Sequence, residues 1–554
     1  MNMIERVEAS IESGLKVALE KIIVQENSKI TADELPNIEI EVPREKEHGD
    51  YATNLALVVS KLFKKPPREI ASKLVQNFKS EFVEDVAVAG PGFINFKLNY
   101  NWLVTTVEKI RELGADYGKI NLGQNKEVLI EFVSANPTGP LHVGHSRGAV
   151  VGDVLATILE TVGYRVKKEY YINDAGNQID ILGKSVLIRY QQECGRDKEM
   201  PADYYAGDYL KEIARELQAE YGEKILDYSE NKQQKLAREY TYRKMLKIIK
   251  NDLQAFGINF DNWFSEKTLH KGKIKQAVDF LKEKGYIYTK EGAVWFKATE
   301  FGDDKDRVVF KYEGTPTYLA ADIAYHYDKL QRGYDQLINI WGADHHGYIS
   351  RIKAVIAAFG YRPDILEVII VQMVTLLREG KKVSMSKRSG EFVTMRDVLR
   401  EVGRDAARYF YIMRSADSHF DFDLDLAREQ SSNNPVYYIQ YAHARIHSIL
   451  EKADSQNDAQ RDLSLLTTNE EVDLMKLLAR YPQVIKISAI NRQVHHLTAY
   501  AYDLANAFHI FYNKCRVITA DRNLSVSRIY LIKAIRQVLR NVLNLLGISA
   551  PCEM

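Results

Sequence analysis

One pattern constrains the fold of this 554-residue chain more than any other. Residues 128–133 form a short, mostly apolar run, which is typical of a strand buried on both faces. A loop rich in proline and glycine occupies 134–141, and apolar residues then recur at helical spacing over 150–162. A second strand candidate follows at 166–172. Strand, helix and strand in this order form the unit of a parallel sheet, so the pattern predicts an α/β domain.

The segment that precedes this unit, residues 1–115, has a mixed character. It opens with a helical pattern and continues with an alternating strand candidate at 38–42 and a helix candidate at 55–63. Two short strand candidates then flank the Gly-Pro-Gly turn at 90–92. This alternation predicts an N-terminal α+β domain.

The α/β domain is expected to cover about residues 120–425. A second strand–loop–helix unit recurs at 336–359, and a polar stretch at about 175–260 is expected to be a helical insertion. Residues 426–554 are almost entirely helix-patterned. The predicted fold class is therefore multidomain α/β, with a Rossmann-like parallel-sheet domain between an N-terminal α+β domain and a C-terminal all-α helical bundle.

Charge and cysteine content exclude several classes of protein. Basic and acidic residues number 76 and 75, and a net charge of +1 excludes a uniformly cationic nucleic-acid coat. The helical end differs, because residues 481–554 hold nine basic residues against three acidic ones. Cys194, Cys515 and Cys552 lie far apart, which favours a reducing, cytoplasmic location over a disulfide scaffold. The longest apolar stretch, at 368–377, is too short to span a membrane.

Two histidines stand where the first loop meets its helix. His142 and His145 flank Gly144 at a helix N-terminus, where free backbone N–H groups and the positive dipole end form an anion site. Imidazoles at this place can donate to a phosphate as charge develops in a transition state, and the glycine lets a base or ribose approach the backbone. Two other interpretations stay open: histidines that only cap the helix, and a pair that binds a metal.

A second basic motif lies far downstream, in a turn rich in serine and glycine around Lys387. A flexible loop that carries a lysine can close over a leaving pyrophosphate, and lysine supplies a point charge without demanding bidentate geometry. A solvated basic loop is the alternative interpretation.

Together the two motifs resemble the HIGH and KMSKS signatures of the class I aminoacyl-tRNA synthetases. Here they read His-Val-Gly-His at 142–145 and Val-Ser-Met-Ser-Lys at 383–387. The resemblance implies ATP-dependent activation of L-arginine to arginyl-adenylate and transfer to the 3′ end of tRNA(Arg), with release of AMP and pyrophosphate. Five further segments resemble the arginyl-tRNA synthetases in particular: 88–96, 130–140, 170–178, 317–322 and 434–445. With them, the resemblance covers nearly the whole chain.

The resemblance also implies which residues bind arginine. A guanidinium needs carboxylates to receive its fork of donors, and the family pattern points to Glu131 and Asp322, with Tyr318 hydrogen-bonding or stacking. Ser134 and Asn136 are implied to hold the amino and carboxylate ends of the amino acid. Glu131 interrupts an apolar strand, where an unpaired carboxylate is costly. An internal ion pair for Glu131 and a helix-capping role for Asp322 stay open.

ATP is implied to bind as its magnesium complex, with no structural metal. His142, His145 and Lys387 are the implied catalytic residues, acting on the phosphates and on the pyrophosphate. Further ATP contacts are expected from Gly144, Asp344, Met385 and Ser386. The first signature with its lead-in comprises Ala135, Asn136, Pro137, Thr138, Gly139, Pro140, Leu141, His142, Val143, Gly144 and His145.

Two positions depart from the family pattern. Val383 stands where the second signature has its first lysine, so that contact is either absent or supplied by Lys381 or Lys382. In some members a glutamine helps to hold arginine, and this chain has His345 at about that place. His345 is therefore included among the expected arginine-binding residues.

The basic helical end is expected to meet the anticodon region of the tRNA, and the N-terminal domain to contact the tRNA as well. The alternative for the aromatic residues is that most of them are core residues of a bundle. The chain is expected to be a monomer that does not bind membranes. The candidate tRNA-binding residues are Tyr500, Tyr502, Phe508, Phe511, Arg516 and Arg536.

Three other functions stay open. Another class I synthetase is one, although a cysteinyl enzyme is expected to carry a Cys/His zinc site that three scattered cysteines do not favour. A small nucleotidylyltransferase shares the H-x-G-H motif but needs neither a basic helical end nor an N-terminal extension. A non-catalytic RNA-binding protein derived from a synthetase would not need the intact His142, His145 and Lys387.

Overall fold

The N-terminal part combines helices with a short antiparallel sheet. The computed structural model describes residues 2–26, 28, 30–43, 45–383, 393–453 and 461–554. The strand expected at 38–42 is wrong, because only Glu41 pairs there, in an isolated bridge with Ala52; the helix at 55–63 and the two strands around the glycine turn are confirmed. The strand order is β1-β3-β2, and the elements are α1 (Met3–Gln25), β1 (Tyr51–Thr53), α2 (Leu55–Phe63), α3 (Pro67–Asn77), β2 (Val83–Ala89), β3 (Phe93–Leu98) and α4 (Asn101–Leu113).

The middle of the chain forms an α/β domain around a five-stranded sheet. Its elements are β4 (Glu127–Glu131), α5 (Val143–Thr161), β5 (Arg165–Ile172), α6 (Asn177–Glu193), α7 (Asp208–Tyr221), α8 (Glu230–Ala255), β6 (Asn262–Ser265), α9 (Ile274–Glu283), β7 (Ile287–Lys290), β8 (Ala293–Phe296), β9 (Arg307–Phe310), α10 (Tyr318–Gln331), β10 (Gln336–Gly342), α11 (Ile349–Ala358), β11 (Leu366–Val371), β12 (Val374–Arg378), β13 (Lys381–Lys382), α12 (Met395–Val402), α13 (Arg404–Ile412), β14 (Phe420–Asp423) and α14 (Leu424–Arg428).

The five strands run in the order β11-β10-β4-β5-β6, and every neighbouring pair is parallel. This confirms the predicted parallel sheet. Val128, Leu129 and Ile130 of β4 are fully buried because helices cover both faces of the sheet, as the apolar run indicated. The chain builds outward from β4 to β6 on one side and then resumes at β10 on the other. Ligands bind open α/β sheets at such a reversal, outside the carboxyl ends of the strands.

The helical insertion lies between β5 and β6. Its helices α6, α7 and α8 share a separate apolar core that includes Leu182, Leu210 and Met245. Two small three-stranded sheets complete the domain, in the orders β7-β8-β9 and β13-β12-β14. The apolar stretch at 368–377 is divided between β11 and β12, which belong to different sheets.

In the C-terminal part, the described residues form the α-helices α15 (Pro435–Lys452), α16 (Asn469–Asn491), α17 (His495–Lys514) and α18 (Arg522–Leu546). Helix α4 packs against α16 and α18, and the hydroxyl of Tyr117 donates to the carbonyl of Leu478 at 2.9 Å. The helical end is thus joined to the N-terminal part through a packed interface. Within the part of the chain that the structure describes, no helix has the length and apolar character needed to cross a membrane.

Candidate active site

The site residues gather at one edge of the parallel sheet. Glu131 ends β4, Ile172 ends β5, Ser265 ends β6 and Gly342 ends β10. Because these strands are parallel, their carboxyl ends lie together and the loops that follow them meet in one crevice. The first signature follows β4, and the loop with Asp344 follows β10.

The chain leaves β4 through two left-handed residues. Val133 has φ +67° and Ser134 has φ +40°, although neither is glycine and valine is β-branched. Hydrogen bonds hold this conformation: the Ser134 hydroxyl donates to Glu131 Oε1 at 2.9 Å and accepts from the backbone N–H of Tyr171 at 3.1 Å. Such strain persists only where the surroundings fix it, and it is concentrated at functional sites. Ser134 is therefore fixed between β4 and β5.

His142 and His145 close the first turn of α5 through their own rings. Nδ1 of His142 accepts from the backbone N–H of Gly144 at 3.1 Å, and Nδ1 of His145 accepts from the backbone N–H of His142 at 3.3 Å. Each neutral ring must then carry its proton on Nε2. Helix capping and phosphate binding are thus compatible, because capping uses Nδ1 and keeps Nε2 as a donor.

Gly144 and Gly152 allow close packing around this motif. A Cβ at Gly144 would lie 2.9 Å from Cε1 of His142, so any other residue would displace that ring. A Cβ at Gly152 would lie 2.4 Å from the ring of Phe132, where α5 packs on the loop after β4. The sequence predicted the need for glycine at Gly144 from ligand approach; the structure adds the His142 ring as a reason.

Backbone hydrogen bonds hold the chain on both sides of the second signature, to β12 on the near side and to the first signature on the far side. Ser384, Met385, Ser386 and Lys387 lie outside the described residues. On the near side, the backbone N–H of Val383 donates to the carbonyl of Leu376 at 2.9 Å. On the far side, Val143 N–H donates to the carbonyl of Val393 at 3.2 Å, and Met395 N–H donates to the carbonyl of Leu141 at 2.7 Å. The chain therefore returns from the second signature directly onto the first.

Lys381 and Lys382 form the short strand β13. They pair with Arg378 and Leu377 of β12, and both lysine side chains are exposed. Whether the contact of the first lysine of the second signature is absent or supplied by Lys381 or Lys382 stays open.

The two expected arginine carboxylates have different surroundings. Glu131 is 7% exposed and Oε2 accepts from Lys329 Nζ at 2.5 Å, so the internal ion pair considered from sequence is present. Asp322 is half-buried inside α10 and accepts from the Tyr348 hydroxyl at 2.9 Å. Thr317 occupies the N-cap of α10, so the helix-capping alternative for Asp322 is wrong.

The electrostatics of Asp322 set it apart. Burial raises its pKa to about 7; the hydrogen bond from Tyr348 lowers it, and the negative charges of Glu131 and Glu266 raise it further. Among the described residues, no cation lies within ion-pair distance of Asp322. An added cation at this place would lower that pKa and stabilise the ionised carboxylate.

The remaining expected contacts line the mouth of the crevice. Tyr318 is the first residue of α10 and is 73% exposed. Asn136 is exposed and donates to Oε1 of Gln178 at 2.8 Å. Asp344 and His345 lie in the turn after β10, are exposed, and pair with each other at 3.5 Å.

Several residues around the site were not found from the sequence. Glu266, just after β6, is buried and faces His270 at 3.3 Å. Lys329 lies on the inner face of α10, where a lysine among apolar positions was the available signal. Arg147 is fully buried after the first signature; burial lowers its pKa to about 10, and it donates to four backbone carbonyls, those of Tyr411, Gln372, Ser418 and Ser415.

Tyr209 of the insertion also touches the first signature. Its hydroxyl donates to the carbonyl of Thr138 at 2.7 Å, and a Cβ at Gly139 would lie 3.4 Å from that hydroxyl oxygen. The insertion therefore supports the loop between β4 and α5. No sequence pattern indicated this contact, because the two segments are distant along the chain.

In the helical end, most of the expected stacking residues are core residues. Tyr500, Phe508 and Phe511 are buried, which corrects the expectation that they stack on RNA bases and bears out the alternative of a bundle core. Tyr502 is 39% exposed. Arg516 is exposed, and Arg536 is half-buried with Nη1 3.2 Å from Nδ1 of His447.

A different set of aromatic residues lies at the surface between α15 and α17. The rings of Tyr437 and Tyr441 stack at 6.2 Å, and those of Tyr438 and Tyr502 lie 5.4 Å apart. Arg445 packs over two of these tyrosines, at 4.5 Å from the Tyr441 ring and 4.8 Å from the Tyr512 ring. We call this surface the tyrosine face; it comprises Tyr437, Tyr438, Tyr441, Arg445, Tyr502 and Tyr512.

Three family models match successive parts of the chain. Residues 10–98 match an arginyl tRNA synthetase N terminal domain, and residues 106–418 match a catalytic domain of class I tRNA synthetases (R). Residues 439–554 match a DALR anticodon binding domain. The three matches follow the order of the α+β part, the parallel-sheet domain and the helical end.

Individual proteins match over their full lengths. An arginine–tRNA ligase of Geobacillus thermodenitrificans is 50% identical over 562 residues, covering 100% of both chains. One from Geobacillus kaustophilus is 51% identical over 532 residues, covering 95% of this chain and 96% of the relative. The structure of the Thermus thermophilus arginyl-tRNA synthetase superposes with a TM-score of 0.74 at 23% identity, covering 99% of this chain and 100% of the other, which shows the shared fold.

Proposed function

The chain belongs to the arginyl-tRNA synthetases and is an arginine–tRNA ligase, and from this premise we propose how its residues perform the reaction. The enzyme takes L-arginine, ATP and tRNA(Arg). The observation that carries the assignment of residues is Asp322: a half-buried carboxylate at the carboxyl edge of the sheet that accepts from a tyrosine hydroxyl and, among the described residues, has no cation within ion-pair distance.

Asp322 receives the guanidinium of arginine. A guanidinium presents a planar fork of donors, and a carboxylate in a site of low polarity binds it through charge-assisted hydrogen bonds. Glu131 has lone pairs beyond those used by Lys329 and Ser134, so it accepts a further N–H from the substrate. The exposed ring of Tyr318 covers the side chain of arginine from the mouth of the crevice. His345 lies further along the same mouth.

Ser134 and Asn136 orient the other end of the amino acid. Ser134 is fixed by three hydrogen bonds in the turn after β4, and Asn136 projects at the surface of the same loop. Both therefore lie between the carboxylates and the first signature. This placement directs the arginine carboxylate towards the N-terminus of α5, where the phosphates bind.

ATP binds at the first signature. Nε2–H of His142 and of His145 donate to phosphate oxygens at the N-terminus of α5, where the helix dipole also favours negative charge. Gly144 keeps the space beside these rings open, and Asp344 accepts from the ribose. Magnesium enters with ATP and balances charge on the phosphates. Met385, Ser386 and Lys387, which lie outside the described residues, are expected to add contacts to ATP, since the chain that follows them is bonded to the first signature at Val393 and Met395.

In the first step, a carboxylate oxygen of arginine attacks the α-phosphorus of ATP and the bond to the bridging oxygen of pyrophosphate breaks. The histidines stabilise charge on the reacting phosphate, and Lys387 stabilises the leaving pyrophosphate. In the second step, the 2′-hydroxyl of the terminal adenosine of the tRNA attacks the arginyl carbonyl and AMP leaves. The protein contributes position and fixed charge rather than a covalent intermediate.

The tRNA meets the helical end at the tyrosine face. Base–aromatic stacking needs exposed rings with a cation nearby, and this surface offers both. Arg516 and Arg536 supply phosphate contacts beside it. The N-terminal domain, residues 1–115, contacts the tRNA as well, the catalytic domain spans 120–425, and the anticodon-binding domain spans 426–554.

The test is ATP–pyrophosphate exchange with each amino acid, with and without tRNA. We expect exchange with arginine alone among the amino acids, and only when tRNA(Arg) is present. Exchange with another amino acid would assign the chain to a different class I synthetase. Binding of tRNA without exchange for any amino acid would make it a non-catalytic RNA-binding protein.

A further inference from the structure

A buried chain of polar groups lies behind the two carboxylates of the proposed arginine site, Glu131 and Asp322. Lys329 is 1% exposed and its ammonium group has three donors. Two of them are used on Glu131 Oε2 at 2.5 Å and on Asn339 Oδ1 at 2.9 Å. The ring of Tyr325 lies 4.3 Å from the same nitrogen. Lys329 is therefore buried and directs two of its three donors at groups inside the fold.

The chain continues from Lys329 to Asp322. Asn339 Nδ2 lies 3.3 Å from Nε2 of His326, and Nδ1 of His326 lies 2.9 Å from the carbonyl of Asp322. Burial, together with the charge of Lys329, lowers the pKa of His326 to about 3, so this ring is neutral. Asp322, His326 and Lys329 stand at positions i, i+4 and i+7 of α10, on one face of the helix. The chain thus contains one cation and one anion, Lys329 and Glu131.

The buried carboxylates near this site differ in whether they form an ion pair with a lysine or an arginine. Glu169 on β5 is buried and accepts two hydrogen bonds from Arg332, at 2.6 and 2.9 Å. Glu131 on β4 has Lys329. Asp322 has the Tyr348 hydroxyl, and the nearby Arg351 pairs with Asp303 at 3.9 Å and lies 4.2 Å from the Tyr348 ring. Glu131 and Glu169 thus have a lysine and an arginine as partners, whereas among the described residues Asp322 has no cation within ion-pair distance and Glu266 faces His270.

We propose that Lys329 is a positioning residue that cancels the charge of Glu131 within the fold, so that Asp322 is the carboxylate whose charge selects a cationic amino acid. Glu131 then contributes a hydrogen-bond acceptor and the anchor for the Ser134 hydroxyl, but no net charge. This inference rests on the proposed arginine site, and it changes which of its two carboxylates carries the selectivity.

The test is a charge cycle at positions 131 and 329, measured as KM for arginine in aminoacylation with the full chain and tRNA. Glu131→Gln leaves Lys329 as a buried positive charge beside the guanidinium, so KM should rise on the order of tenfold or more. Lys329→Met in the same chain removes that charge. We expect Glu131→Gln with Lys329→Met to recover most of the lost affinity while kcat changes less.

The proposal is contradicted if the double variant is not rescued. If Glu131 binds the guanidinium through its charge, the double variant stays at least as defective as Glu131→Gln alone, and the proposal is overturned. Lys329→Arg keeps the charge and should retain an arginine KM near that of the unaltered chain. Lys329→Met alone leaves the negative charge of Glu131 uncompensated next to Asp322. The midpoint of the pH dependence of the arginine KM, which reports the ionisation of Asp322, should therefore move to higher pH. Loss of packing alone would not produce this shift.

The charged groups that face Asp322 must be counted in that pH profile. They are Glu131 from β4, Tyr171 from β5, Glu266 after β6, and Tyr348 with Arg351 from the start of α11. The variants leave all of these except Glu131 unchanged, and the double variant has no unpaired charge to prevent folding; thermal unfolding of each variant confirms that the fold is intact.

A separate variant distinguishes failure of this inference from failure of the proposed site. Asp322→Asn should abolish the preference for arginine over citrulline, whose ureido group has the same shape without the charge. If Asp322→Asn keeps that preference, the arginine site itself is misassigned. If Asp322→Asn loses it but the double variant is not rescued, only the role given to Lys329 is wrong.

Discussion

The sheet edge and the tyrosine face differ in how their functional side chains are held. At the sheet edge, Glu131, Ser134 and the two signature histidines are held by hydrogen bonds from the fold itself, before any substrate arrives. At the tyrosine face, side chains of α15 and α17 lie at the surface and contact mainly one another. Fixed groups suit a reaction whose rate depends on position, and exposed rings suit a flexible, salt-sensitive RNA partner.

The largest expected effect of a single substitution is at the second signature. Lys387→Ala should slow arginine activation by about 10²- to 10³-fold while the fold stays intact, because a preorganised charge on the leaving pyrophosphate is lost. ATP–pyrophosphate exchange with tRNA present measures the effect. Lys275→Ala, at an exposed ion pair on α9, is the matched control and should be silent. Unchanged exchange in Lys387→Ala would refute the role of the loop.

Asp322→Asn should raise the arginine KM by about 10²-fold, since a charge-assisted contact in a poorly solvated site is replaced by a neutral one. The unaltered enzyme should also show a pH dependence. The pKa of Asp322 is about 7 in the fold against an ordinary value of 3.8, so the folded chain binds the extra proton between these values. Its free energy of unfolding therefore falls as pH rises through this interval.

Arginine binding has the opposite dependence on pH. It uses the ionised carboxylate, so arginine KM should fall as pH rises towards 7 and then level off. Asp322→Asn should remove this limb. A limb that persists in the variant would show that another group titrates in the site.

The first signature offers a test that separates capping from chemistry. His142→Asn should keep the helix cap, because asparagine is a good N-cap residue, and should lose the Nε2 donor. We expect activation to fall by about 10²-fold with little change in thermal stability. His142→Ala removes both functions, so it should match the rate loss and also destabilise the fold by about 1 kcal/mol. Equal stability of the two variants would contradict the capping geometry.

At the helical end the effects should be smaller and should appear in tRNA binding. Tyr441→Ala should raise the KM for tRNA about tenfold and leave the arginine KM unchanged, since loss of one stacked base costs about 1–3 kcal/mol. Tyr312→Ala, at an exposed tyrosine outside this face, is the control. Phe508→Ala should instead lower the free energy of unfolding by about 3–5 kcal/mol, because Phe508 is a core residue. A selective tRNA defect in Phe508→Ala would reverse that assignment.

The smallest expected effect is electrostatic. Arg516→Gln should weaken tRNA binding a few-fold at low salt. It should also reduce the slope of log affinity against log salt concentration by about one, the value expected for the loss of one phosphate contact. Measurement of tRNA affinity at several ionic strengths checks this. An unchanged slope would place Arg516 outside the RNA contact.

The comparison also shows where reasoning from sequence succeeds. β4 has an apolar run that is typical of a strand buried on both faces, and the helix at 55–63 was located to the residue. The strand expected at 38–42 failed because alternation by itself does not supply a partner strand, and only Glu41 finds one. The histidine pair was identified because its residue types, spacing and position at a helix start all agree.

The tyrosines of the helical end show the limit of that reasoning. Helical periodicity shows that Tyr500 and Phe508 share faces with apolar residues, but it does not show whether the face meets a neighbouring helix or an RNA. Packing of α16 and α18 decided this and left Tyr502 and Tyr512 outside. Lys329 was missed because helical periodicity does not show which neighbours a helix face meets. A lysine in a helix is normally solvated unless it pairs with a buried acid.

The sequence by itself determined the parallel sheet, the two signatures and the acids that could receive a guanidinium, because local periodicity and residue chemistry encode these. Only the tertiary structure decided which of these acids form an ion pair within the fold. Lys329 meets Glu131 across 198 positions of sequence, and Arg332 meets Glu169 across 163. The charge of a buried carboxylate depends on its neighbours in space, and these are set by how strands and helices pack rather than by their order in the chain.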